Sequence, residues 1–129
     1  MTTSLPDNVR RLLDGATFVV VTTVNPDGSP HSTVMWAKRE GDDVIFSTVR
    51  GRKKARNMER DPRVSVCGYD PAQPYSYFTV DGEVTLTDEG GKELINELSL
   101  KYNDQPYTFD APDAVRVVCR VTPSKVISQ

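Results

Sequence analysis

The sequence predicts a mostly β fold: one domain over residues 1–129, built as a small antiparallel β-barrel with flanking helices. Its length of 129 residues fits a single ordinary domain. Several short stretches rich in β-branched residues are joined by tight turns, which favours antiparallel pairing. Only three stretches have a helical pattern, and many antiparallel strands with few helices most simply close into a barrel.

The first element predicted is a short helix near the N-terminus. Ser4 is its expected N-cap and Asp7 completes a capping box. Apolar residues then recur at helical spacing until Gly15, where we expect the helix to end.

Three strands follow, over Thr17–Val24, Pro30–Lys38 and Val44–Val49. The first is β-branched and apolar almost throughout, which is typical of a strand buried on both faces. Turn signals at residues 25–28 and 41–43 separate the three strands, so each is expected to pair with the next.

A short and mostly exposed helix is predicted over residues 51–60, ending before Asp61-Pro62. A fourth strand follows over Val64–Tyr69, and then a loop over residues 70–74. Strict alternation from Phe78 to Leu86 predicts a fifth strand, in which Gly82 indicates a bulge or a close backbone approach.

The last third of the chain predicts a helix, a loop and a strand. Asp88 is the expected helix cap, and Leu94, Ile95, Leu98 and Tyr102 form one face of that helix. Residues 103–112 form an irregular loop, and alternation over 115–121 predicts the final strand.

The charge is distributed unevenly along the chain. The net charge of −2 argues against a general nucleic-acid binder. Seven of the 16 basic residues nevertheless lie between Arg50 and Arg63. Cations at the positive N-terminal end of a helix repel its dipole, and a bound anion relieves that repulsion. The segment therefore predicts either a phosphate or polycarboxylate site or a solvated basic face.

Other features narrow the class of protein. No apolar run is long enough to span a membrane. Residues 1–7 lack the charged start and apolar stretch of a secretory signal, so none is expected. Cys67 and Cys119 are expected to be buried free thiols, which favours the reducing cytoplasm. With His31 as the single histidine, no metal site is expected.

Five further residues are candidates for binding. Ser47 and Thr48 precede the basic helix, and their hydroxyls could donate to the same anion. Met35 and Trp36 lie on the second strand and fit either the wall of a flat ring or the core. Tyr75 fits a ligand cover or a subunit interface. No motif for a catalytic acid, base or nucleophile is present, which suits chemistry carried by a cofactor.

Three segments carry a family resemblance: GSPHSTVMW (residues 28–36), VIFST (44–48) and RKKARNMERDPRVSV (52–66). In this order they resemble the pyridoxamine 5′-phosphate oxidase-like split-barrel flavoproteins, and most closely the small actinobacterial members that use the deazaflavin coenzyme F420. The resemblance covers about residues 9–126. It implies a six-stranded antiparallel split β-barrel, FMN-binding-like and homodimeric, with two cofactors at the subunit interface.

The resemblance also implies a set of cofactor-binding residues: Met35, Trp36, Ser47, Thr48, Arg52, Lys53, Lys54, Asn57 and Tyr75. Those of the basic segment would hold the phosphate and tail of the cofactor. The two hydroxyls would face the phosphate or ring, and the Met-Trp pair would border the ring. Tyr75 would reach the cofactor of the partner subunit.

The expected activity is hydride transfer between reduced F420 and a small conjugated or flat organic acceptor. FMN presents one phosphate, whereas F420 also brings a phosphodiester and a glutamate tail. Four cations between Arg52 and Arg56 suit the longer anion. The alternatives are an FMN-binding flavoprotein oxidoreductase and a non-enzymatic cofactor- or haem-binding protein. Neither nucleic acid nor membrane is an expected partner.

Overall fold

The structure, a computed structural model, describes residues 3–129. It contains three helices, α1 (Asp7–Asp14), α2 (Lys53–Arg60) and α3 (Gly91–Asn103). Its seven strands are β1 (Val19–Val24), β2 (Pro30–Met35), β3 (Lys38–Glu40), β4 (Asp43–Val49), β5 (Arg63–Asp70), β6 (Gln73–Thr87) and β7 (Arg116–Ser128).

The strands form one antiparallel sheet in the order β2-β1-β5-β6-β7-β4-β3. A flat sheet of this width would separate its two edges by about 29 Å, at the usual strand spacing of about 4.8 Å. Only Trp36 and Ala37 join β2 to β3, and three Cα–Cα steps reach about 11 Å at most. The sheet therefore curls on itself, and the predicted mostly β, barrel-like fold is confirmed.

The predicted second strand is wrong in one respect, because it breaks at Trp36-Ala37. Its first part pairs with β1 as β2, and the expected pairing with the third predicted strand holds only from Lys38 onward, where β3 pairs with β4. The backbone of Ala37 bonds α3 instead. Its N–H donates to the Tyr102 hydroxyl at 3.1 Å, and its carbonyl accepts from Lys101 Nζ at 2.9 Å. The break turns six predicted strands into seven.

Alternate residues of the strands fill the barrel. Phe46, Phe78, Val80 and Val121 are fully buried, as the alternation predicts. The expectation that the first strand is buried on both faces is wrong. Val19 and Val21 face the core, whereas the side chain of Val20 is 37% exposed on a face that this chain does not cover.

Helix α2 matches its prediction and packs Ala55, Asn57 and Met58 against the barrel. The predicted end of α1 at Gly15 is confirmed, but the N-caps predicted for α1 and α3 are wrong. Pro6 takes the N-cap position of α1, where no side chain caps the helix. Gly90, with φ of 83°, takes that position in α3, while the Asp88 carboxylate accepts from Arg50 at 3.0 Å.

The remaining differences are local. Both features predicted at Gly82 are confirmed: the register with β7 shifts between Asp81 and Gly82, and a Cβ on Gly82 would lie 2.1 Å from the carbonyl oxygen of Thr122. The predicted loop at 70–74 shrinks to a turn at 71–72, and the final strand continues to Ser128. Both cysteines are free, but only Cys119 is buried, so the expected burial of Cys67 is wrong.

Candidate functional site

A cavity of about 240 Å³ lies where the start of α2 meets the ends of β2 and β4, the first turns of α3 and the first residue of β7. Its lining combines cationic, hydroxyl and apolar side chains: Phe18, Val34, Met35, Trp36, Ser47, Arg52, Lys54, Ile95, Leu98, Tyr107 and Arg116.

The start of α2 gives the cavity its positive character. Gly51, at φ of 93°, turns the chain into the helix, and Arg52 occupies the N-cap position without a side-chain cap. The first turn contains no acidic residue to offset the helix dipole. Its free backbone N–H groups and its cations therefore lie at the same end of the helix.

Two cations of the lining have no carboxylate partner. Within residues 3–129, no salt bridge includes Arg52 or Lys54. The Lys54 ammonium donates to the thioether sulfur of Met35 at 3.1 Å. Burial lowers the pKa of Lys54, and the charges of Arg52 and Arg116 lower it further. An anion in the cavity would relieve this repulsion.

Arg116 is the third cation of the cavity lining, and it differs from Arg52 and Lys54 because it forms a salt bridge with Asp110. The side chain is buried and donates to Asp110 through Nε at 2.8 Å and Nη2 at 2.9 Å. Nη2 also donates to the Tyr107 hydroxyl at 3.0 Å, and Nη1 lies 3.4 Å from Ser47 Oγ. The hydrogen bonds from Arg116 hold the pKa of Asp110 below its usual value.

A chain of aromatic rings borders the cavity. Trp36 stacks on Tyr102 with ring centroids 5.5 Å apart and meets the edge of Tyr107 at 6.2 Å. Phe18 extends this chain beyond Tyr102, and Phe109 extends it beyond Tyr107. Stacked and edge-on contacts of this kind fix the rings and leave a flat apolar surface on one side of the cavity.

Five of the nine predicted residues meet in this cavity: Met35, Trp36, Ser47, Arg52 and Lys54. Thr48 does not, because alternation along β4 turns its side chain into the barrel, opposite to that of Ser47. Lys53 lies on the other side of α2, in a second depression shared with Arg56 and Arg60.

Asn57 and Tyr75 also lie outside the cavity. The buried amide of Asn57 donates to Thr23 Oγ1 and to Asn25 Oδ1, both at 3.1 Å, and so ties α2 to β1 and the turn after it. Tyr75 lies near the start of β6 and is 85% exposed. It does not line the cavity of its own chain.

Sequence reasoning missed six lining residues: Phe18, Val34, Ile95, Leu98, Tyr107 and Arg116. Arg116 gave a weak signal, as an arginine within an apolar strand. Tyr107 gave none, because it lies in a segment without periodicity. The described residues 3–129 contain no cluster of three or more metal-ligating side chains and no helix long and apolar enough to cross a membrane.

Comparison with known proteins places the chain in a family. The sequence pattern of the pyridoxamine 5′-phosphate oxidase family matches residues 5–129. The chain is 28% identical over 95 residues to the pyridoxine/pyridoxamine 5′-phosphate oxidase of Aeromonas hydrophila. That match covers 73% of this chain and 42% of the relative, so the chain spans less than half of the relative's length.

Solved structures show the same relationship. An F420 reductase is 31% identical, with a TM-score of 0.86, over 97% of this chain and 100% of the reductase. A conserved hypothetical protein of Mycobacterium tuberculosis is 22% identical, with a TM-score of 0.78, over 97% of this chain and 84% of that protein, which shows a shared fold. The resemblance stated from the sequence is therefore confirmed, and the chain belongs to the pyridoxamine 5′-phosphate oxidase family.

Proposed function

We propose that this chain is a cytoplasmic F420-dependent oxidoreductase that transfers a hydride between reduced F420 and a small conjugated or flat organic acceptor. The convergence of Arg52 and Lys54, neither paired with a carboxylate within residues 3–129, on a cavity bordered by Trp36 carries the proposal. The F420 reductase that is 31% identical over nearly the whole chain supports it.

The residues present fit such a cofactor at both ends. An anionic tail would meet Arg52, Lys54 and the free N–H groups of α2, and the repulsion that lowers the pKa of Lys54 would then be relieved. A flat ring would meet Met35 and the rings packed around Trp36. Because charge-assisted contacts are stronger than neutral ones, several cations favour F420 over the single phosphate of FMN.

The chain's own groups would position and shield the reactants. Bound F420 supplies the hydride transfer itself. Among the described residues, the cavity lining contains no carboxylate, histidine or cysteine, so an acid or base from this lining must be Lys54, a hydroxyl or water. Tyr107 is suited to this role, because its oxygen accepts from Arg116 and its own proton is left free to donate. Apolar residues such as Phe18 and Leu98 exclude water.

A second copy of the chain would complete the site. The cavity of about 240 Å³ is smaller than the roughly 300–1,000 Å³ usual for ligand sites. Phe18 (58% exposed) and Val34 (68% exposed) line it and also lie at the edge of an uncovered sheet face. In register across that face lie Val34, Val20, Cys67, Thr79 and Ile127.

We infer a homodimer in which this face is buried and Tyr75 reaches the cofactor of the second chain. Burial there would remove the exposed valines and Cys67 from water. Light scattering after size-exclusion chromatography should give twice the chain mass for the native protein. Val34→Asp should shift it to a monomer, and a native monomer would contradict the inference.

The binding proposal is tested by titrating the purified chain with F420 and with FMN while the fluorescence of Trp36 is followed. We expect tighter binding of F420, with a dissociation constant that rises with salt. Lys54→Ala and Arg52→Ala should each weaken binding about 10- to 150-fold, as loss of a charge-assisted contact worth about 1.5–3 kcal/mol requires. Arg11→Ala removes an equal charge from α1 and should leave binding unchanged.

Three outcomes decide among the alternatives. Unchanged affinity in both cavity variants overturns the assignment of the site. Binding of FMN alone identifies an FMN-binding flavoprotein instead. Stoichiometric binding without turnover across a panel of quinones and enones identifies a non-enzymatic cofactor-binding protein.

A further inference from the structure

The segment between α3 and β7, residues 104–115, has no helix or strand, yet it supplies one wall of the cavity through Tyr107. Side chains of α3 and β7 hold it at two points. The backbone N–H of Tyr107 donates to Asn96 Oδ1 on α3 at 3.1 Å. The side chains of Tyr107 and Asp110 both contact the guanidinium of Arg116.

Arg116 is itself rigidly placed. Its side chain is only 5% exposed, and its backbone pairs with Val49 of β4. Helix α3 abuts it so closely that a Cβ on Gly91 would lie 2.0 Å from the Arg116 carbonyl oxygen. The guanidinium therefore projects from a fixed backbone.

The geometry at the guanidinium uses the fork shape that only arginine has. Nε and Nη2 donate in parallel to the two oxygens of Asp110, and Nη2 also reaches the Tyr107 hydroxyl. The guanidinium carbon lies 4.9 Å from the centre of the Tyr107 ring. A lysine has one nitrogen and cannot make these contacts together.

We propose that Arg116 is a positioning residue, which anchors the segment through Asp110, holds Tyr107 as a fixed wall of the cavity and so limits the size of the acceptor that enters. The positioning role rests on the structure, whereas the effect on acceptor size also rests on the proposed function. Loss of the guanidinium frees the segment from its tether to β7, while the bond from the Tyr107 N–H to Asn96 keeps one end in place.

The positioning role is tested on the protein without cofactor. Phe109 is exposed beside Tyr107, so chymotrypsin cleavage at these two residues reports release of the wall. We expect Arg116→Gln to speed this cleavage by roughly tenfold or more, because a buried charge pair is broken. Asp110→Asn and Tyr107→Phe, which keep the side-chain shapes, should each speed it less, and Arg116→Lys should not rescue the native rate.

Arg120→Gln is the matched control, because Arg120 lies on the same strand and pairs with Glu40 and Asp43 away from the cavity. Trp36 emission, which senses the edge of Tyr107, should change in Arg116→Gln and stay native in the control. Equal cleavage rates and equal emission in Arg116→Gln, Asp110→Asn, Arg120→Gln and the native chain would overturn the positioning role.

The size limit is tested with the F420-loaded protein and with 1,4-benzoquinone and anthraquinone as acceptors. Arg116→Gln should lower the ratio of the KM for anthraquinone to the KM for 1,4-benzoquinone by about tenfold. The ratio of the two kcat values should change little. An unchanged KM ratio overturns the size limit. If the native protein turns over neither quinone, the proposed acceptor class fails, while the cleavage result still decides the position of Arg116.

Discussion

The interior of the barrel and the cavity beside it are built from the same strands on opposite principles. Inside, alternate residues such as Phe46 and Val121 are apolar and fully buried. In the cavity, Arg52 and Lys54 are left without a carboxylate among residues 3–129, and a half-buried lysine has a lowered pKa. The barrel interior stabilises the fold, whereas the cations of the cavity lower its stability in favour of binding.

The largest expected effect on stability comes from a substitution in the barrel interior. Phe46→Ala should lower the free energy of unfolding by about 3–5 kcal/mol, because a fully buried ring is lost and leaves a cavity. Urea denaturation measures it. Phe109→Ala removes the same side chain from an exposed position and should change stability by less than about 0.5 kcal/mol. Comparable losses in both variants would contradict the comparison.

Asn57 tests the division between residues that stabilise the barrel interior and residues that bind in the cavity. The family resemblance predicts contact with the cofactor, whereas its amide donates to Thr23 and Asn25 in the structure. Asn57→Ala should therefore cost about 1–3 kcal/mol of unfolding free energy, since buried partners lose their hydrogen bonds. Thermal melts without and with cofactor measure it. If Asn57→Ala melts at the native temperature but no longer binds the cofactor, Asn57 is a cofactor-binding residue, as the family resemblance predicts.

The smallest expected effect is a gain of stability in the cavity. Because the folded pKa of Lys54 lies below its unfolded value, the charged lysine destabilises the fold at neutral pH, and stability rises as pH increases through the folded pKa toward the unfolded one. Lys54→Met should thus raise neutral-pH stability by less than about 1 kcal/mol and flatten this alkaline rise. Denaturant titrations from pH 7 to 10.5 measure both.

The matched control for this variant is Lys92→Met on α3, which removes an exposed charge outside the cavity lining and should leave the pH profile native. If the Lys54→Met protein is less stable than the native protein and keeps the native rise of stability with pH, the charged Lys54 does not destabilise the fold.

The barrel and most of its elements could be predicted because strand alternation and turn residues are local signals. Phe78 and Val80, for example, can be assigned to the buried face of their strand from the adjacent residues in the sequence alone. The break at Trp36-Ala37 could not be predicted, because Lys101 and Tyr102, far along the chain, bond the backbone of Ala37.

The candidate site divides in the same way. The basic run marks α2, but only the rotation of the packed helix puts Lys54 in the cavity and Lys53 in the depression on the far side. Asn57 is buried and borders that depression, not the cavity. Arg116 joins the cavity through pairing of β7 with β4, which no local pattern encodes.

The position of β7 has a consequence for how the protein is made. In the sheet, β7 lies between β6 and β4, although β4 is synthesised some seventy residues earlier, with Val44 opposite Val121. During translation, β4 has one side of its backbone unpaired until β7 has left the ribosome. Pairing over such separations is slow, so closure by β7 should be a late step of folding and a stage exposed to misassembly.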